Sequence, residues 1–152
     1  NQPFAVATMS EIFGEDGIQR ARILEANDLN SAVFMNADGG FKRQNLPPLA
    51  QIAPVKDILP KDIDQDGDTD LVLVGNDHGV EVETGRIDAG NGLVLLNDGK
   101  SNWTVLDNQA SGFWANQDAR AVLPLRLVSG NTGLVVANNN SVSEFFLLQK
   151  SR

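Results

Sequence analysis

Two patterns of apolar residues divide the chain near residue 30. Before it, Phe4, Ala5, Met9, Ile12 and Phe13 recur at helical spacing, and Gly14 fits the C-cap of a first short helix. Asp16 can cap a second, in which Ile18, Ala21 and Leu24 share one face while Arg20, Arg22 and Glu25 reach water. Beyond it come short apolar runs separated by Asn, Asp and Gly. Ser31–Asn36 leads through Ala37-Asp38-Gly39-Gly40 into Phe41, and Gly92–Asn97 leads through Asp98-Gly99-Lys100-Ser101-Asn102 into Trp103. Each reads as strand, tight turn, strand.

These runs repeat. Asn36 and Asn97 lie 61 residues apart, Asn76 and Asn138 close similar apolar runs 62 apart, and Leu59-Pro60 precedes Leu123-Pro124 by 64. Three matches near one spacing indicate an internal repeat. One full repeat, about 54–107, contains strands near 54–59, 70–75, 92–97 and 102–107. Strands near 31–36 and 41–45 supply the last two of the repeat before it, and 119–128, 132–138 and 143–149 the first three of the next.

Four-stranded units repeated around an axis are propeller blades. The expected fold is therefore mainly β: a partial β-propeller of about two and a half four-stranded blades over residues 31–152, preceded by two short helices in a helical segment, 1–30. A ring takes at least about four blades. The piece is thus expected to belong to a longer propeller, to assemble with further copies, or to leave its sheets open with the helices covering an edge. An irregular β-sandwich is the competing architecture.

Composition narrows the chemistry. Across 152 residues, 20 acidic side chains against 12 basic ones give a net charge of −8, which disfavours a nucleic-acid partner. The absence of cysteine excludes disulfides, thiolate metal sites and thiol nucleophiles, and a single histidine excludes any site needing two. No apolar run has the length of a membrane span. Asn1-Gln2-Pro3 does not open a signal peptide, so the expectation is that any such leader was removed or that the piece starts inside a longer chain.

The sharpest signal is Asp62-Ile63-Asp64-Gln65-Asp66-Gly67-Asp68-Thr69-Asp70. Five carboxylates alternate over nine residues, a self-repelling arrangement unless a cation sits among them. Oxygen ligands at positions 1, 3, 5 and 9, a carbonyl at 7 and a glycine at 6 are the requirements of a Ca²⁺ loop. Asp62, Asp64, Asp66 and Asp70 are expected as side-chain ligands and Asp68 as the carbonyl donor. Carboxylates select Ca²⁺ over zinc or copper, and Mg²⁺ prefers fewer protein ligands. An EF-hand would carry Glu at position 12, where this chain has Leu73, and Leu71–Val74 runs on as a strand rather than a helix.

An aspartate loop entering an apolar strand, with a later strand ending in Asn97-Asp98-Gly99 before Trp103, resembles the FG-GAP/VCBS repeat. Gly85–Leu95 and Val136–Asn140 are similar to the C-terminal region of large bacterial VCBS-repeat proteins, in some of which a helical segment like residues 4–28 is inserted. The resemblance implies blades of an integrin-α-like propeller with Ca²⁺ in the loop joining a blade's first two strands. The next repeat carries Val128–Gly133 in place of the aspartate loop, and the Phe-Gly…Gly-Ala-Pro element is absent, so one Ca²⁺ site is expected.

Other constellations carry less. His78 reads as a solvent-exposed loop residue, without the nucleophile and orienting carboxylate that a catalytic base needs. Glu81 and Glu83 alternate with Val80 and Val82 as in an exposed ribbon. Arg86 and Asp88 lie in the long excursion 76–91, where they can contact a ligand or pair with one another. Phe41, Trp103 and Phe145 follow turns and are expected to fill space between blades, whereas Trp114, if exposed, is the best candidate for a ligand contact. The leading expectation is a non-enzymatic, calcium-stabilised propeller segment of an exported bacterial protein. It would act outside the cell, at the cell surface or in the periplasm, in adhesion or in binding a protein or glycan. The alternatives are a polysaccharide-active enzyme or its accessory domain, and purely structural terminal blades. A uronate lyase would need a base other than tyrosine, which the chain lacks.

Overall fold

From residue 31 onward the alternation becomes, among the described residues, nine strands: β1 Ala32–Ala37, β2 Gly40–Asn45, β3 Val55–Lys61, β4 Asp70–Gly75, β5 Leu93–Asn97, β6 Trp103–Leu106, β7 Ala119–Arg126, β8 Thr132–Asn138 and β9 Glu144–Leu147. The computed structural model describes residues 2–148 and groups these strands into three antiparallel sheets, β1-β2, β3-β4-β5-β6 and β7-β8-β9. Three short α-helices accompany them: α1 Gln2–Ala5, α2 Met9–Arg20 and α3 Asn108–Ser111.

The internal repeat is written in the strand registers. Asp57 pairs with Val74 and Leu59 with Val72; 64 and 63 residues later, Ala121 pairs with Ala137 and Leu123 with Val135. Both hairpins are irregular at one place, around Lys56 in β3 and Arg120 in β7. The turns of the first and second sheets correspond as well, because Asn36 pairs with Phe41 as Asn97 pairs with Trp103.

Strand β4 is buried along its whole length, so its two faces serve two cores. Leu71 and Leu73, with Leu95, pack towards Val33 of the first sheet and Leu46 and Ala50 of the link that follows it. Val72 and Val74, with Val94, pack towards Val122, Leu134 and Val136 of the third sheet. The second sheet is thus held between the other two, as a continuous run of Val and Leu requires. Polar ties reinforce both contacts. The Gln44 side chain donates to the Ser101 carbonyl at 2.7 Å, and Asp57 accepts the Val122 N–H at 2.8 Å.

The helical segment breaks at Gly14, where apolar spacing predicts it, and also at a second place that the spacing does not predict. Thr8 caps α2 by accepting the Glu11 N–H, while the Glu11 carboxylate accepts the Thr8 N–H at 2.7 Å. This reciprocal capping box starts a helix at Met9 and leaves α1 ending at Ala5. Gly14, at φ 71°, does interrupt the helix as expected. The chain leaves helical geometry after Arg20, so the face expected from Ile18, Ala21 and Leu24 does not form. None of residues 4–30 is buried, and Phe4, Met9, Phe13 and Leu24 stand exposed.

Two aromatic positions also differ. Trp103 is half-buried against the core shared by the first two sheets. Phe41 and Phe145 are 75% and 50% exposed, because among the described residues no sheet covers the faces that carry them. Phe145 pairs with Val135 on a third strand, so it corresponds to Val94 and not to Trp103.

Candidate metal centre

The β3–β4 turn holds the aspartate run. Two positive-φ residues, Gln65 at 68° and Gly67 at 99°, curl it inwards; glycine adopts such a conformation without steric cost, which accounts for its place after the third aspartate. Main-chain donors then fill the concavity. Asp62 accepts from the N–H of Gln65 at 2.7 Å and of Gly67 at 3.2 Å. Asp64 accepts from Asp66 N–H at 3.2 Å, and Asp66 from Asp68 N–H at 2.8 Å.

Three of the five aspartates come together: one carboxylate oxygen from each of Asp62, Asp64 and Asp70 lies within 4.8 Å of the others. Asp66 and Asp68 stand outside that triad; Asp66 closes its own turn, and the Asp68 carboxylate lies against Gly99 of the β5–β6 turn. Asp70 is fully buried, and its oxygens accept from Ile63 N–H at 2.7 Å and Asn97 N–H at 2.9 Å. It therefore joins the loop to the end of β5 whatever else it binds. The Asp64 carboxyl is pushed above its ordinary value by desolvation and by the neighbouring charges of Asp66, Asp70 and Asp62. A divalent cation would relieve that repulsion, and oxygen-only donors fit Ca²⁺.

At the opposite ends of the same strands lies a polar cluster that sequence reasoning missed. Lys56 donates to Asp77 at 2.8 Å, Arg120 lies 3.6 Å from Asp77 and 2.8 Å from Asp118, and Asn139 donates to Asp118 at 3.0 Å. His78 belongs to this neighbourhood: it is half-buried, with Nε2 enclosed and without a partner among the described residues, rather than free in solvent. Its position after a strand gave no signal of burial. Asn76 was missed too. It is fully buried, its amide donates to the Gly90, Asn116 and Gln117 carbonyls, and its Oδ1 accepts the Gly90 N–H.

The remaining expected contacts scatter over the surface. Arg86 and Asp88 are exposed, and among the described residues neither forms an ion pair with the other. The segment around Glu81 and Glu83 is a turn closed by Thr84 N–H to Glu81 O, not a ribbon. Trp114 is 51% exposed, while its neighbour Phe113 is buried and meets Phe146 edge to face at 4.7 Å. An apolar recess of about 100 Å³ lies beside Leu49, Ile52, Val55 and Leu93. It is smaller than pockets that enclose drug-sized ligands, which run to about 300–1,000 Å³. No family model, curated protein or solved structure matches the chain.

Proposed function

We propose that this chain is a calcium-stabilised, non-enzymatic binding module built from FG-GAP/VCBS-type repeats, its sheets forming part of a β-propeller. The observation that carries the reading is the convergence of Asp62, Asp64 and Asp70 within 4.8 Å in a loop that ties β3 to β4. Ca²⁺ held there, with Asp66 and the Asp68 carbonyl completing the oxygen set, would neutralise the loop and stiffen the second sheet. An extracellular or periplasmic setting of an exported bacterial protein suits such a site, because a site of modest affinity stays filled at extracellular calcium. Ligand contact belongs to the surface loops 76–91 and 108–118. The exposed charges of Arg86 and Asp88 and the half-exposed Trp114 support a protein or glycan partner there.

Thermal unfolding in EDTA and across a Ca²⁺ titration tests this, with Asp64→Ala and Asp66→Ala alongside. A ligand at a hundred times its Kd adds about 2.7 kcal/mol, which raises Tm by several degrees in a domain of this size. The expected result is a saturable rise that both substitutions abolish. A folded protein whose Tm ignores Ca²⁺ would reduce the loop to an acidic turn and remove the calcium reading.

A further inference from the structure

We propose that the outer face of the third sheet is a docking surface for the outer face of the first sheet of a second copy of this chain, joined head to tail. Across the third sheet, Leu123, Val135 and Phe145 form one cross-strand row. In the second sheet the same row is Leu59, Val72 and Val94. There it belongs to a core, with Val72 at 0% and Val94 at 3% exposure, because the third sheet lies over it. In the third sheet Leu123 is 62% and Phe145 50% exposed, and Leu125 and Leu147 extend the apolar strip. One sheet later, the same positions present the same chemistry uncovered.

The first sheet carries the matching half. Asn36 and Phe41 correspond to Asn97 and Trp103, which places Phe34 at the position of Leu95. Leu95 and Trp103 belong to the face that the second sheet turns to the sheet before it. Phe34 and Phe41 are 63% and 75% exposed on the corresponding face of the first sheet. The third sheet thus presents the face that a following sheet covers, and the first sheet the face that packs on a preceding one. Two such unlike, complementary faces make a heterologous contact that continues from copy to copy. Arg43, paired with Phe34 and ion-paired with Asp28 at 2.6 Å, shares that face of the first sheet and gives the two phenylalanines a charged neighbour where the second sheet has Val105. Exposed apolar residues grouped on a sheet face and bordered by polar ones mark association sites. Strand register and exposure carry this contact, and it does not depend on calcium.

Sedimentation equilibrium of the whole chain over a wide concentration range, in Ca²⁺ and again in EDTA, tests the inference. The wild type is expected to grow in mass with concentration. Phe145→Asp and Phe34→Asp each remove one face at an exposed position, so each should stay monomeric alone and keep its circular dichroism spectrum. Mixed one to one, they should form a dimer that grows no further, since each brings the face the other lacks. Leu123→Asp should replace Phe145→Asp in that mixture. A wild type that stays monomeric throughout would overturn the proposal. So would self-association of either variant alone, which would mean a contact between like faces or elsewhere. Association that persists in EDTA while Tm ignores Ca²⁺ would leave this inference standing and remove the metal reading.

Discussion

The carboxylate of Asp57 accepts the main-chain N–H of Val122 at 2.8 Å, joining the irregular start of β3 to the middle of β7 across 65 residues of sequence. This is where the second and third sheets meet, and Val122 is itself buried at 2% exposure. Removing the acceptor leaves an enclosed N–H without a partner. Asp57→Ala is expected to cost about 1–3 kcal/mol in urea unfolding. Asp57→Asn keeps an acceptor oxygen and should recover most of that loss. Equal losses for both variants would mean that the charge matters and not the hydrogen bond.

Asp70 and Asp64 should separate structure from metal binding. Asp70 is buried and holds two main-chain N–H groups, from Ile63 and Asn97, while Asp64 is exposed and holds one within its own turn. Asp70→Ala is expected to destabilise the protein by about 2 kcal/mol or more even in EDTA. Asp64→Ala should leave stability in EDTA nearly unchanged and remove only the gain from added Ca²⁺. Melting curves of both variants with and without Ca²⁺ provide the check, and a matched loss in EDTA would sink the distinction.

The sheets were legible in the sequence because their apolar runs are short, bounded by Asn, Asp and Gly, and repeated. All nine strands stand within a few residues of where alternation and spacing place them. The aspartate loop was legible because five alternating carboxylates repel one another, and Gly67 marks the turn that gathers three of them. What escaped depends on tertiary context. Asn76 reads locally as a turn residue, yet its amide fills a buried position bonded to carbonyls up to 41 residues away. Phe113 sits beside Trp114 in the sequence, and only packing against Phe146 buries one while the other remains in solvent. The early helix break came from Thr8 and Glu11, whose three-residue spacing is a start signal that the apolar periodicity overshadowed.

Gly75, at the end of β4, lies close against the main chain of Pro54, just before β3. A Cβ there would stand 1.7 Å from the Pro54 carbonyl oxygen and 2.8 Å from its carbon. Both neighbours are main chain and cannot rotate aside, so a methyl group must part the two strands beside the N–H of Asn76 that bonds to Pro54 O at 3.1 Å. Gly75→Ala is expected to cost about 3 kcal/mol. Gly40→Ala has open space around it and should change stability by less than about 0.5 kcal/mol. Similar urea midpoints for the two variants would refute the steric account.

Acid should loosen the polar cluster at the strand ends through Asp77. The hydrogen bond from Lys56 and the N–H of Gly79 hold this carboxyl below its ordinary value, helped by the charges of Lys56 and Arg120. A pKa depressed on folding contributes stability that is complete above the unfolded value, near 3.9. That contribution disappears as pH falls through the lower folded value. Lys56→Met keeps most of the aliphatic stem and removes the charge, so the variant should be less stable than the wild type at pH 5–7. The difference should close progressively below about pH 4, as Asp77 becomes neutral in both proteins. Urea midpoints for the pair between pH 7 and pH 2.5 measure this directly. A stability gap that stays constant across that range would mean that Lys56 acts by packing, and that its ion pair with Asp77 contributes nothing to the fold.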